Sequence, residues 1–210
     1  MLALFFSAFV TFFVVIDPPG CAPIFASLTR GADVADRRAM ALRSTLIAAA
    51  ILLTFALVGE ALLKALGISL PAFRIAGGIM VFLIAIDMVF ETRTQRREER
   101  AEQISREAQA RAEPVDDVSV FPMAIPMIAG PGSIATVMLQ ASRADGVEQL
   151  VVLGALAAVL ALTAAALLAA GPIMRVLGAK LEAMITRVLG VLLAALAAQF
   201  VIDGIKASFF

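Results

Sequence analysis

Apolar runs long enough to cross a bilayer recur along the chain, separated by short charged stretches. Six membrane spans are predicted, over roughly 2–29, 44–66, 70–90, 118–141, 150–170 and 183–205. The fifth holds 21 consecutive uncharged positions, enough for a hydrocarbon core of about 30 Å. Two of the six carry helix breakers. Asp17-Pro18-Pro19-Gly20-Cys21-Ala22-Pro23 interrupts the first near 17–23, and Ala129-Gly130-Pro131-Gly132-Ser133 interrupts the fourth near 126–133. Proline has no N–H and glycine relaxes the backbone, so neither stretch continues an ordinary helix.

Laid over each other at an offset of 112, Phe9 meets Phe121, Ile16 meets Ile128, Pro19 meets Pro131 and Gly20 meets Gly132. Arg74-Ile75-Ala76-Gly77 and Arg187-Val188-Leu189-Gly190 correspond at 113, and Leu66-Gly67 and Leu177-Gly178 at 111. Three spans per half make the second half enter from the opposite face. The predicted fold is therefore an all-α integral membrane protein of six transmembrane helices, arranged as two inverted three-helix repeats with the first helix of each broken. The repeats are 1–91 and 118–210, and a charged linker spans 92–117. In the linker, Glu102/Arg106 and Glu107/Arg111 are i,i+4 pairs that predict a solvated helix, a plain connector or a regulatory surface.

Composition fits a bilayer: 61% of residues are hydrophobic and mean hydropathy is +0.97. The first 16 residues lack a basic n-region and an A-x-A-like site, and are expected to form a helix that is kept. Of 17 Lys and Arg, 13 fall on the side of loops 1–2, 3–4 and 5–6; Lys64, Arg74, Arg143 and Lys206 fall on the other. The positive-inside rule then puts the linker in the cytoplasm and both termini outside. Zero net charge gives no argument for nucleic acid, and the absence of His removes imidazole metal sites and relays. The single Cys excludes thiolate clusters and an intrachain disulfide. No G-x-x-x-x-G-K-[ST] loop occurs, so ATP is not the energy source read here, and no cofactor is expected.

Breaks at matching places in two membrane halves point to a transport site. A half-helix N-terminus offers N–H groups and partial positive charge to a carboxylate, and opposing carbonyls suit an ammonium group. Asp17, Pro18, Pro19, Gly20 and Cys21 at the first break, with Gly130, Pro131, Gly132, Ser133 and Thr136 at the second, are the candidate substrate-binding residues. Their small size favours a small solute. Asp17 follows 15 uncharged positions, and a carboxylate in that place is costly unless paired, hydrated or protonated. It is a candidate for proton coupling or for binding an ammonium group, and equally a helix cap. Asp87 is a second coupling candidate. Gln199 is expected to bond between helices, while Gly154/Ala158 and Ala161/Ala165/Ala169 read as close-packing seams, within or between subunits.

The stretches 17–25, 124–136, 70–78 and 199–205 together resemble the MarC family, which includes small neutral amino acid transporters of prokaryotic inner membranes. The resemblance covers essentially the whole chain. It implies the six-span inverted fold and glycine- or alanine-type substrates driven by the proton gradient. Cys21 stands where that family usually has Asn, which has two donors and an acceptor. The reading is a secondary transporter for small neutral amino acids (glycine, alanine or serine), with the proton, or sodium, as coupling ion and the bilayer as surroundings. Homo-oligomerisation is left open. The alternatives are a channel or passive facilitator for another small polar solute and, more remotely, an intramembrane serine enzyme, for which Lys64 and Lys206 sit too near span ends to act as base at Ser133.

Overall fold

A computed structural model describes residues 1–90 and 117–209, with backbone only for 172–183 and 185. Among the described residues eight helices follow in order: α1 Leu2–Ile16, α2 Pro18–Leu28, α3 Val34–Ala65, α4 Leu70–Val89, α5 Ser119–Ile128, α6 Pro131–Ala141, α7 Val147–Leu168 and α8 Ala170–Phe209. No strand occurs among the described residues. Five stretches are long and apolar enough to cross a membrane, with α1 and α2 counted as one; the bent pair α5–α6 makes a sixth. The expected linker helix lies outside the described residues.

Helix lengths exceed the apolar runs at two places. α3 starts at Val34, not 44, because Asp33 caps it: its Oδ1 accepts from the Asp36 N–H at 2.7 Å. Hydropathy marks only the lipid-crossing part of that 32-residue helix. The loop expected between spans five and six is reduced to Ala169, since α8 begins at Ala170 and its apolar part is Thr186–Phe209. Pro172 sits in the first turn of α8, where a missing N–H costs nothing.

Two apolar cores flank α1. Ala8, Phe12 and Ile16 enter one with α2, α3, α5, α6 and α7; Val14 and Val15 enter the other with Val81, Ala85 and Met88 of α4 and Leu193 and Ala197 of α8. Phe5, Phe9 and Phe13 stack along α1 at 6.1 and 6.2 Å between ring centroids. Only 28–44% of the most apolar window of each of the five single spans is buried inside the molecule. The rest, including Leu46, Leu57, Leu83 and Val188, is apolar surface suited to lipid tails.

The helix α6 sits at the centre. Of its eleven residues all but Pro131 and Ile134 are buried. Gly77 of α4 leaves room for Leu139, and Gly59 of α3 for Met138: a Cβ on either would come within 3 Å of those side chains. α4 and α8 run antiparallel against each other at three further glycines. A Cβ on Gly78 would lie 2.9 Å from the Ala197 carbonyl, on Gly190 3.1 Å from that of Ala85, and on Gly204 3.0 Å from that of Pro71. The expected seam on α7 is not the one used within the chain. Gly154, Ala161 and Ala165 are exposed, and α7 packs through Val152, Ala155, Leu156, Val159 and Leu160.

Candidate functional site

The two interruptions differ in construction. At the first, a single residue separates α1 from α2: Asp17 adopts left-handed φ 58° and ψ 63°, a conformation Asp and Asn tolerate better than other non-glycine residues. Its N–H closes α1 on the Phe13 carbonyl at 2.9 Å, and its carbonyl opens α2 by accepting from Cys21 at 3.0 Å. Its carboxylate then caps α2, Oδ1 accepting from the Gly20 N–H at 3.2 Å. Pro18 and Pro19 bring no N–H, so Asp17 meets the donors of that first turn. Gly20 is required by the same contact, since a Cβ would fall 2.3 Å from Asp17 Oδ2. Cys21 donates its thiol to the Ile16 carbonyl at 3.5 Å.

At the second, α5 and α6 meet at a 55° bend. The irregularity begins earlier than 126, because Pro122 acts as well as Pro126. Phe121 and Ile125, each before a cis proline, are extended at φ −125°, ψ 128° and φ −128°, ψ 124°, as residues preceding proline prefer. The surviving backbone bonds reach over five residues, from Met123 to Val118 and from Ala129 to Ala124. A Cβ on Gly130 would lie 2.5 Å from the Pro126 carbonyl, so no other residue fits the bend. α6 then starts at Pro131 with no side chain capping its N-terminus.

These features bring the candidate residues into the interior. Asp17 is 2% exposed, Cys21 0%, Ser133 4% and Thr136 0%; Pro18, Gly20, Gly130 and Gly132 are buried, Pro19 half-buried and Pro131 exposed. The Cβ position of Gly132 lies 3.8 Å from Val15, two residues before Asp17, and 2.2 Å from Ile84 of α4. Asp87 is half-buried one turn beyond Ile84. Asp17, Cys21 and Asp87 each make interactions beyond those described.

Thr136 differs from five threonines in or at the end of other helices. Thr11, Thr29, Thr45, Thr54 and Thr163 each donate to the carbonyl four residues back at 2.7–2.9 Å. Thr136 Oγ1, in the second turn of α6, is shut from solvent with no hydrogen-bond partner among the described residues. Buried polar atoms are nearly always bonded. A carboxylate thus lies at one break, and at the other, uncapped amides and a hydroxyl without a hydrogen-bond partner among the described residues. Among the described residues no three Cys, Asp or Glu side chains gather as a metal site would need.

Two polar clusters escaped the sequence reading. Arg43 of α3 pairs with Asp117, which also accepts from the Ser119 hydroxyl and, at 2.9 Å, from its N–H. Chiefly through Ser119, and then Arg43, the Asp117 carboxyl is held below its usual pKa. With the partners 74 positions apart in the chain, no local signal announces this pair. At the opposite end, Arg143 and Asp203 bond at 2.8 Å. Gln199, expected to bond between helices, donates to Asp203 of its own helix at 2.7 Å; the i,i+4 spacing was the available signal.

A family model described as MarC family integral membrane protein matches residues 2–209. The chain is 36% identical to the UPF0056 membrane protein MJ1677 of Methanocaldococcus jannaschii, over 98% of this chain and 97% of the relative. It is 33% identical to the UPF0056 membrane protein YvbG of Bacillus subtilis, over 100% and 97%, and 33% to YhcE of Escherichia coli, over 98% and 94%. No solved structure matches. With that match over nearly its full length, and with helices built to span a bilayer several times, the chain belongs to the MarC family of integral membrane proteins.

Proposed function

We propose that the chain is a secondary transporter of small neutral amino acids, working by alternating access around the two interruptions in a prokaryotic inner membrane. The observation that supports this reading is a buried carboxylate at the first break, with, at the second, an uncapped helix N-terminus whose Gly132 Cβ position lies 3.8 Å from Val15 and a hydroxyl without a partner among the described residues. The Asp17 carboxylate already serves the α2 end and disfavours an anion there. A substrate carboxylate is therefore assigned to the Gly132 and Ser133 amides of α6 and the Thr136 hydroxyl, and its ammonium group to Asp17. Gly20, Cys21, Ala22, Gly130 and Ala135 leave space only for a small side chain.

In this reading residues 1–91 and 118–210 are inverted halves, the 92–117 linker is cytoplasmic, and both termini are outside. Two half-helices of eleven residues support the duplication: α2 and α6 each begin with a proline after an interrupted apolar stretch. Asp17 and Asp87 carry the coupling proton. Uptake of radiolabelled glycine and alanine into proteoliposomes tests the proposal. Saturable uptake that an imposed pH gradient drives and a protonophore abolishes is expected, with leucine a poor substrate. Dependence on sodium alone would move the coupling to that ion; non-saturable flux indifferent to gradients would make the protein a channel. No flux of any small amino acid would overturn the proposal.

A further inference from the structure

At the end of the bundle where α4 begins and α8 ends, Arg74 and Arg143 lie near one carboxylate, Asp203: the backbone next to Arg74 meets that next to Asp203, a Cβ on Gly204 falling 3.1 Å from the Ile75 nitrogen. Arg143, just past α6, is fixed twice: it bonds Asp203 Oδ2 at 2.8 Å, and its guanidinium carbon sits 5.1 Å from the centroid of the buried Phe200 ring. Asp203 Oδ1 is taken by Gln199 at 2.7 Å. Arg74, in the second turn of α4, lies close enough to couple electrostatically to both Arg143 and Asp203. The three charges sum to +1, so Asp203 neutralises only one guanidinium.

Arg74 is also left with an unmet donor. Its Nε is shut from solvent and has no hydrogen-bond partner among the described residues. A desolvated N–H on a cation near a second cation calls for an acceptor carrying negative charge. The geometry points to an oxyanion site between Arg74 and Arg143, taking a carboxylate or a phosphodiester, both of which match the planar donor fork of arginine. Phe200 and Asp203 hold Arg143 in place before the ligand arrives, so little ordering remains to be done on binding. This site is separate from the interruptions and does not rest on the transport reading.

The test follows thermal unfolding of purified protein in phosphatidylcholine nanodiscs through reaction of the buried Cys21 with a fluorogenic maleimide, since the chain has no Trp or Tyr. Sodium acetate at a hundredfold excess over its Kd should raise the midpoint by roughly 5–10 °C, and sodium chloride of equal ionic strength should not. Arg74→Gln should lose the acetate shift while melting near the wild type without acetate, because the Nε it removes makes no bond. Arg74→Lys keeps the charge but not Nε, and should keep less than half of the shift. In phosphatidylglycerol nanodiscs, an undiminished acetate response would identify a soluble carboxylate as the ligand. A midpoint already raised there, with acetate adding nothing, would identify the phosphodiester of an anionic lipid, which phosphatidylcholine offers only beside its own cation. An acetate shift unchanged in Arg74→Gln or Arg74→Lys would overturn the site. Thr136→Val should leave the acetate shift intact, which separates failure of this site from failure of the transport proposal.

Discussion

Asp17 serves two helices with one residue, and that double duty separates its chemistry from its architecture. Asn can hold the left-handed backbone and accept from Gly20, so Asp17→Asn should melt within a few degrees of the wild type yet uncouple glycine uptake from the pH gradient. Asp17→Ala loses the cap and strains the backbone, at about 2 kcal/mol or more, and should lower the melting midpoint clearly. A coupled, fully active Asp17→Asn would reduce this residue to a cap. Thr136 permits the opposite experiment. Its hydroxyl is buried without a bond, a condition that costs about 1–3 kcal/mol; Thr136→Val should therefore be at least as stable as the wild type. If the hydroxyl meets substrate, glycine uptake should still fall at least tenfold. The sequence exposed Asp17 as a lone charge in an apolar run. It also placed Thr136 beside the second break, but nothing in it showed that this hydroxyl, unlike those of five other threonines, does not bond back to the carbonyl four residues earlier.

Among the helices, the sequence located the small residues but not the faces that use them. Gly154 and Gly204 both sit on long helices, the first among leucines and alanines and the second between Asp203 and Ile205. Nothing lies within 4 Å of a Cβ at Gly154, whereas one at Gly204 meets the Pro71 carbonyl at 3.0 Å and the Ile75 nitrogen at 3.1 Å. Gly204→Ala must push α4 and α8 apart, at about 1–3 kcal/mol, while Gly154→Ala should gain up to about 1 kcal/mol of helix propensity. Paired melting curves of the two variants check this, and equal effects would contradict the α4–α8 seam. The span ends were legible where apolar runs end in caps, as at Ser69, whose hydroxyl accepts from the Ala72 N–H before Leu70. They were misread where a helix continues into charged residues, as α3 does toward Asp33, because hydropathy reports lipid contact rather than hydrogen bonding.

For the molecule as a whole, the described arrangement is closed around its interruptions. Cys21 is fully buried, so a water-soluble maleimide should label it slowly, and only through opening of the bundle. Glycine or alanine at millimolar levels should alter that rate and leucine should not; labelling indifferent to every small amino acid would detach the first interruption from the substrate. The Arg43–Asp117 contact ties the start of α5 to α3 at one end of the bundle. Because the folded chain holds the Asp117 proton more weakly, this contact contributes fully above the ordinary carboxylate value of about 3.9. It is lost as pH falls through the lower folded value. Both side chains are about half exposed, so the contribution is about 0–1 kcal/mol. Between pH 6 and pH 3 the wild type should lose slightly more stability than Asp117→Asn, measured by the same melting assay. A wild type that falls no further than the variant would assign the acid response to other carboxylates.

Membrane residence, the approximate spans and the places where helices fail are written in the chain itself. Apolar run length is set by bilayer thickness, and Pro and Gly act on their own backbone. Partners distant in the chain were decided only by tertiary packing: the antiparallel glycine seam of α4 and α8, the enclosure of α6, and the sharing of Asp203 by Gln199 and Arg143 within coupling distance of Arg74. A lipid-facing residue and a core residue are equally apolar here, so composition cannot say which face turns inward. Only the contact between helices makes that choice.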